Sequence, residues 1–227
     1  MSAPEIFDWP SVLVPVNPLI MAPSKTIGGT TSETGFTQVQ PFIRPPFRLT
    51  LRFGALHGAE VLAWRALIGS LEGRANVVRI PLFDVWFRAS DAAIGAGAVA
   101  HSDGTAFSDG ALYLTDDLVG VGVTGVQGQR WIEVDFGAYG PQLQAGLYFG
   151  IGEHPYLATA VHWTGSVARI RCSPTLRLDY AAAPLKLKPT MIGRQTSDDG
   201  GALELERARY ATGPVLELEE ALDVLLS

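Results

Sequence analysis

Short apolar runs punctuated by glycine are the feature of this sequence that most restricts its fold. Between residues 111 and 172 such runs are separated by short segments that contain glycine. This pattern is typical of a small antiparallel barrel or sandwich, in which each strand ends at a turn. The whole chain has 25 glycines and 15 prolines among 227 residues, so we expect frequent turns and few long helices.

The first 27 residues form a proline-rich arm. Proline has no N–H to donate to a sheet and disrupts helix interiors. The arm is therefore predicted to be extended, with at most short edge strands. Its prolines are Pro4, Pro10, Pro15, Pro18 and Pro23.

The clearest strand signal follows two further prolines. Phe47, Leu49, Leu51 and Phe53 alternate with polar residues over seven positions. This period of two predicts a half-buried strand with one apolar face and one basic face.

The period then changes from two to that of a helix. Apolar residues recur at helical spacing from Val61 to Leu71, and Gly73 follows them, as expected just past a helix end. We predict one prominent helix over residues 58–72. A strand is predicted next, over residues 76–87.

These signals predict a mainly β fold with one prominent α-helix (α+β), organised in two units. Residues 1–88 with 174–227 are assigned to an N-terminal arm and a β-sandwich-like, ring-forming unit that contains the helix. Residues 89–173 are assigned to an inserted small antiparallel β-barrel or sandwich. The stretch 89–111 is expected to be an exposed loop, and 176–187 is expected to return to the first sheet.

Composition excludes several classes of function. The net charge is −6, and the 17 basic residues are scattered and outnumbered by 23 acidic ones. A protein that recognises nucleic acid by neutralising phosphates would show the opposite balance. The longest stretch of low polarity, residues 92–100, is far too short for a membrane-spanning helix. We therefore predict no direct nucleic-acid recognition, no membrane span and no usual secretory signal.

No motif specifies a reaction. Residues 120–125 match GxGxxG, but a strand pattern follows them where a dinucleotide site needs a helix. The four histidines lack zinc spacing, and turn or strand-face positions are expected for His154 and His162. Cys172, the one cysteine, is expected to be a core residue and not a thiolate. We predict that the protein is not an enzyme and has no cofactor, metal site or catalytic residue.

Three stretches of sequence follow one another in a distinctive order. The first is SETGFTQ at 32–38 with the strand at 47–53. The second is WRALIGSLEGRAN at 64–76, which leads into RIPLFD at 79–84. The third is LQAGLYFGIG at 143–152, which is followed by residues 165–170 and by SPTLR at 173–177. Together they resemble the distal tail proteins at the tail tip of long, flexible-tailed (siphovirus-like) phages and prophages. The resemblance covers residues 30 to about 195. Leu147 stands where such proteins often carry aspartate.

The resemblance implies a structural protein of the virion, made in the bacterial host cytoplasm. Such a protein forms a homo-oligomeric ring that joins the tail tube to the tip hub and to host-recognition parts of the baseplate. Sixfold symmetry is implied, and threefold symmetry is left open. The expected partners are further copies of the chain, the tail tube protein and the tail hub or tip proteins.

The residues themselves suggest how copies could meet. The proline-rich arm is suited to lie on a neighbour, and a basic strand face could meet the acidic C-terminal segment of the next subunit. The alternative is that these arginines are simply solvated. The candidate interface residues are Arg44, Arg48, Arg52, Glu217, Glu219 and Glu220.

A carbohydrate- or receptor-binding β module of the tail tip is the alternative function. Aromatic rings in the inserted unit could form a binding surface. This alternative requires two or more of the rings to be exposed side by side on a cleft. The candidates are Trp131, Tyr139, Tyr148, Tyr156 and Trp163.

Overall fold

The structure is a computed structural model. It describes residues 3–23, 26–31, 37–41, 45–84, 98–99, 113–114, 117–206 and 210–225. The predicted loop at 89–111 lies outside the described residues, apart from a two-residue strand at 98–99.

The secondary structure is mainly β with one substantial helix. The strands are β1 (Ile6–Asp8), β2 (Asn17–Met21), β3 (Thr26–Thr31), β4 (Thr37–Pro41), β5 (Arg48–Arg52), β6 (Leu56–His57), β7 (Val77–Pro81), β8 (Ala98–Val99), β9 (Tyr113–Leu114), β10 (Asp117–Gly125), β11 (Trp131–Asp135), β12 (Tyr148–Ile151), β13 (His154–Thr164), β14 (Val167–Ser173), β15 (Tyr180–Lys186), β16 (Thr190–Gln195), β17 (Glu204–Glu206), β18 (Tyr210–Thr212) and β19 (Val215–Glu220). The helices are α1 (Ala59–Leu71) and α2 (Leu222–Leu225).

The chain divides into two compact units. One consists of Met1–Phe83 with Met191–Ser227, and the other of Asp84–Thr190. The first unit contains a mixed six-stranded sheet, and the second a nearly closed antiparallel barrel of six strands. The predicted fold class, mainly β with one prominent helix and a small antiparallel barrel, is confirmed.

The mixed sheet has the strand order β1-β7-β16-β19-β5-β2. The N-terminal arm supplies both outermost strands: β1 pairs parallel with β7, and β2 pairs antiparallel with β5. The arm thus forms short edge strands, as predicted. Its strands pair with the chain's own sheet, and the expectation that it also lies on a neighbour stays a prediction.

Strand β5 and helix α1 follow their sequence patterns. Leu49 and Leu51 of β5 are buried, while Arg48 and Arg52 are exposed on the opposite face. Helix α1 buries one apolar stripe and ends at Glu72, whose φ of 47° is left-handed. The buried stripe is Val61, Trp64, Leu67 and Leu71.

The barrel has the strand order β10-β15-β12-β13-β14-β11. Its placement of β15 corrects one prediction: β15 pairs with β10 and β12 and does not return to the first sheet. The physical reason is burial, because Tyr180 and Leu185 of this strand belong to the apolar core of the barrel. The next strand, β16, enters the mixed sheet instead.

Candidate assembly surface

A row of aligned side chains crosses one face of the mixed sheet. Arg194 of β16 lies opposite Glu219 of β19, which lies opposite Arg48 of β5, and Arg48 lies opposite Met21 of β2. Residues directly opposite one another in a sheet project from the same face. Four segments that are distant in sequence therefore present one mixed row of charged and apolar side chains.

Two ion pairs form along this row. Arg48 reaches Glu219 with an Nη2–Oε2 distance of 2.9 Å. Arg194 donates from Nη1 to both carboxylate oxygens of Asp223, each at 2.9 Å. The Arg48 and Glu219 side chains are 51% and 37% exposed, so we expect this pair to contribute at most about 1 kcal/mol to folding. Its charges remain accessible to a partner.

The charged row lines an open groove of about 720 Å³ in the first unit. Cationic, anionic and apolar side chains all contribute to its walls. They include Arg48, Arg74, Arg194, Glu217, Glu219, Asp223, Met21 and Leu222.

Most of the predicted interface residues lie in or beside this groove. Arg48, Glu217 and Glu219 line it, and Arg52 is exposed on the same strand as Arg48. In the structure Arg48 pairs with Glu219 of its own chain, whereas the sequence suggested a contact between subunits. Arg44 lies outside the described residues.

Glu220 also lines the groove, but its side chain is buried. The residue is 4% exposed, and its Oε2 accepts the Phe47 N–H at 3.0 Å. The Glu220 N–H in turn donates to the Phe47 carbonyl oxygen at 2.9 Å. Glu220 therefore holds the start of β5 against the end of β19, and its carboxylate is less accessible to a partner than those of Glu217 and Glu219.

Arg194 was missed by the sequence analysis. It belongs to β16, whose burial pattern does not alternate: Met191, Ile192 and Gly193 are all buried in succession. Without a period of two, no sequence signal places Arg194 on the same face as Arg48.

The candidate aromatic residues of the barrel divide between its interior and its outer face. Tyr156 is fully buried. Trp163 packs edge-on against Phe136, with ring centroids 5.0 Å apart, and donates from Nε1 to the Leu143 carbonyl oxygen. Tyr139 is partly buried against the same core.

Like Tyr139 and Trp163, the last two rings, those of Tyr148 and Trp131, are partly exposed. Burial raises the pKa of the Tyr148 hydroxyl. Trp131 stacks on His162 with ring centroids 5.8 Å apart, and the Arg169 guanidinium lies 5.0 Å from the Trp131 ring centre. The structure thus places Trp131 in a surface stack with histidine and arginine, and not with the other predicted aromatics.

The remaining candidate groups are buried or dispersed. Cys172 is 4% exposed in the apolar core of the barrel, which confirms it as a core residue, and this burial raises the pKa of its thiol to about 12. His154 is 2% exposed, so its predicted surface position is wrong. Within the described ranges, no three His, Cys, Asp or Glu side chains are grouped to hold a metal ion.

None of the helices in the described part of the chain has the length and apolarity needed to cross a membrane.

We compared the sequence with models of known protein families and with curated proteins. No model of a known protein family matches the chain, and no curated protein is significantly similar to it.

Proposed function

We propose that this protein is a structural component of a phage tail tip or baseplate that acts by assembly and not by catalysis. Identical copies form a ring, a hexamer by resemblance, that joins the tail tube to the tip hub and to host-recognition parts. The protein is made in the host cytoplasm and becomes part of the virion.

The two-unit architecture carries this proposal. The chain leaves the mixed-sheet unit after Phe83, forms the barrel, and returns at Met191. This is the arrangement that the resemblance to distal tail proteins implies, with one unit available for the ring and a second β unit inserted into it. The order of the three sequence stretches and the observed architecture support the same class of protein.

The chemistry of the groove also favours a protein partner. Small-molecule sites are usually enclosed and mostly apolar. This groove is open, and its lining side chains carry charges of both signs. Partly exposed charges around apolar side chains are typical of the rim of a protein–protein interface.

The positions of the aromatic side chains give less support to the alternative function, a carbohydrate- or receptor-binding module. That function requires aromatic side chains that are exposed side by side. Tyr156 is fully buried, and Trp163 is partly buried against Phe136, so one of the five candidates is excluded from a surface cleft and a second is partly covered. Trp131 and its neighbours remain as a smaller surface patch.

The proposal is tested by measuring the mass of the purified chain by light scattering over a wide range of concentrations, with negative-stain imaging of any large species. We expect closed rings with a central hole about as wide as a tail tube. A chain that stays monomeric at every concentration, and that also fails to bind isolated tail tubes, would contradict the assembly function. A glycan-binding screen would then be the next measurement.

A further inference from the structure

One outer face of the barrel carries two arginines beside a tryptophan. Arg169 and Arg171 of β14 are exposed, whereas the alternate residues Ala168, Ile170 and Cys172 are buried in the core. Successive side chains of a strand point to opposite faces, so both guanidinium groups project from the outside of the barrel. Their backbone positions are about 7 Å apart, because each residue of a strand adds about 3.3 Å.

The strand register places further side chains on the same face. Trp131 of β11 lies opposite Arg171. His162 of β13 and Glu133 of β11 lie opposite Arg169, one on each side. Residues directly opposite one another in a sheet share a face. We call the surface formed by Trp131, His162, Arg169 and Arg171 the arginine–tryptophan patch.

Trp131 helps to hold the Arg169 side chain in place. The guanidinium carbon of Arg169 lies 5.0 Å from the centre of the Trp131 ring, within the range of a cation–π interaction. His162 stacks on the same ring, with centroids 5.8 Å apart. Binding costs less when a long side chain is already ordered. The patch is therefore partly organised before any partner binds.

The positive charges of the patch are available to a partner. Neither Arg169 nor Arg171 forms an ion pair with any described residue. Glu133 stands beside them as a single carboxylate, so the two guanidinium groups leave an excess of positive charge on this face. The chain as a whole has a net charge of −6. Charge complementarity at this face selects an anionic partner.

The composition of the patch favours a protein among the possible anionic partners. Tryptophan and arginine are enriched among the side chains that dominate protein–protein binding. A single-stranded nucleic acid stacks its successive bases on several aromatic rings, and the carbohydrate site considered above requires rings side by side. The patch has one tryptophan, and that ring already packs against arginine and histidine.

We propose that the arginine–tryptophan patch binds an extended acidic segment of a partner protein. Side chains of alternate residues in an extended chain lie about 7 Å apart on one face, which matches the spacing of Arg169 and Arg171. Carboxylates on alternate residues of the partner therefore each meet one guanidinium group, which can donate two parallel hydrogen bonds to a carboxylate. The inference rests on the proposed assembly function and names a surface for a protein other than the chain itself.

A synthetic peptide tests this spacing directly. The probe is a short, fluorescently labelled peptide of alternating glutamate and threonine, titrated with the full chain and followed by anisotropy at low salt. We expect saturable binding that weakens as salt is added, because exposed charges are screened. A peptide of the same composition with its glutamates in adjacent pairs should bind more weakly. Equal binding of the two peptides would overturn the proposed match.

Substitutions in the patch locate the binding. Arg169→Gln and Arg171→Gln should each weaken binding of the alternating peptide by about twofold to fivefold, the range expected for an exposed ion pair. Glu133→Gln should strengthen binding, because it removes the opposing carboxylate beside Arg169. A gain in affinity is a result that damage to the fold would not produce.

The matched control is Arg65→Gln, which makes the same change of charge in the other unit. Arg65 is exposed on α1, and its replacement should leave binding of the alternating peptide unchanged. If Arg65→Gln weakens binding as much as Arg171→Gln does, the patch is not the binding site and the inference is overturned.

Competition identifies the class of partner. Alginate, an acidic polysaccharide, and single-stranded DNA are each added to the complex of the chain with the alternating peptide. We expect neither to displace the peptide at an equal concentration of anionic groups. Displacement by either polymer at a lower concentration would overturn a protein partner.

The outcomes for the patch and for the proposed function are separate. Rings whose subunits do not bind the alternating peptide would overturn the patch and leave the assembly function intact. Peptide binding by a chain that forms no ring and binds no tail tube would support the patch and contradict the assembly function.

Discussion

The hydroxyl oxygens of Tyr156 and Tyr180 lie 2.8 Å apart inside the barrel. The Tyr156 hydroxyl also accepts the backbone N–H of Arg177 at 2.9 Å. Burial is the main reason that the pKa of Tyr156 is raised well above its usual value, so the group stays protonated and can donate a hydrogen bond. One side chain of β13 thereby binds both β15 and the segment that leads into it.

Replacing this hydroxyl should weaken the barrel. We expect Tyr156→Phe to lower the free energy of unfolding by about 1 to 3 kcal/mol, because buried polar groups lose a hydrogen-bond partner. Urea unfolding followed by fluorescence measures the change. Tyr180→Phe should cost less, since the Arg177 N–H keeps its acceptor. Equal stability of Tyr156→Phe and the unmodified protein would show that the pair contributes nothing.

Two neighbouring glutamates should differ strongly in their effect on stability. Glu220→Ala removes the buried acceptor of the Phe47 N–H, and we expect a loss of about 1 to 3 kcal/mol. Glu219→Ala removes a surface ion pair with Arg48 and should cost at most about 1 kcal/mol. Chemical unfolding of both variants measures the difference. Similar losses would contradict the structural role assigned to Glu220.

Gly201 should tolerate no larger residue. Its φ is +79°, and an added Cβ would collide with the Ile68 side chain. Its carbonyl also accepts the Trp64 Nε1–H at 2.9 Å. We expect Gly201→Ala to cost about 2 to 5 kcal/mol, from left-handed backbone strain together with overpacking.

Gly128→Ala separates the two contributions in thermal or urea unfolding. Gly128 has a φ of +83°, close to the +79° of Gly201, and no atom within 4 Å of an added Cβ. This control should show the backbone cost alone, about 1 to 2 kcal/mol. If the two variants lose equal stability, the predicted contact with Ile68 is absent.

Cys172 should make stability fall as the pH becomes alkaline. Burial raises the pKa of its thiol from 9.0 to about 12. Above pH 9 the unfolded chain releases this proton while the folded chain retains it, so the unfolded state is favoured. The free energy of unfolding should therefore decrease by up to about 1.4 kcal/mol per pH unit between pH 9 and about 12.

Unfolding by urea at pH 8 and pH 10 measures this slope, with Cys172→Ala as the comparison. Removing the thiol should make the decrease shallower, whatever the variant does to stability at pH 8. The same slope in both proteins would exclude Cys172 as its source. Because the raised pKa of Tyr156 acts in the same direction, a residual slope is expected above pH 10.

Several features of the fold could be predicted because local patterns decide them. Alternation at 47–53 determines which face of β5 is apolar, since successive side chains of a strand point to opposite faces. The helix at 59–71 follows from apolar residues at helical spacing. The barrel follows from short apolar runs separated by segments that contain glycine, which allow the tight turns between its strands.

The candidate assembly surface could not be predicted in the same way, because it forms by pairing between strands that are far apart in the sequence. Arg48 meets Glu219 across 171 positions of sequence, and their distance is set by the register between β5 and β19. Glu220 continues the buried alternation of Leu216 and Leu218 in β19, so the period of two could have indicated that it points inward. The sequence analysis instead treated Glu219 and Glu220 as surface acids because both carry a charge.

The sequence by itself determined the faces of the alternating strands, the helix and the mainly β fold class, because each depends on the periodicity of nearby residues. Only the tertiary structure decided which sheet receives β15, which residue lies opposite Arg48, and that the arm occupies both edges of the mixed sheet. Those outcomes depend on hydrogen bonds and packing between segments far apart in the chain. The sequence of an alternating strand specifies its faces, whereas its neighbours in the sheet depend on the fold as a whole.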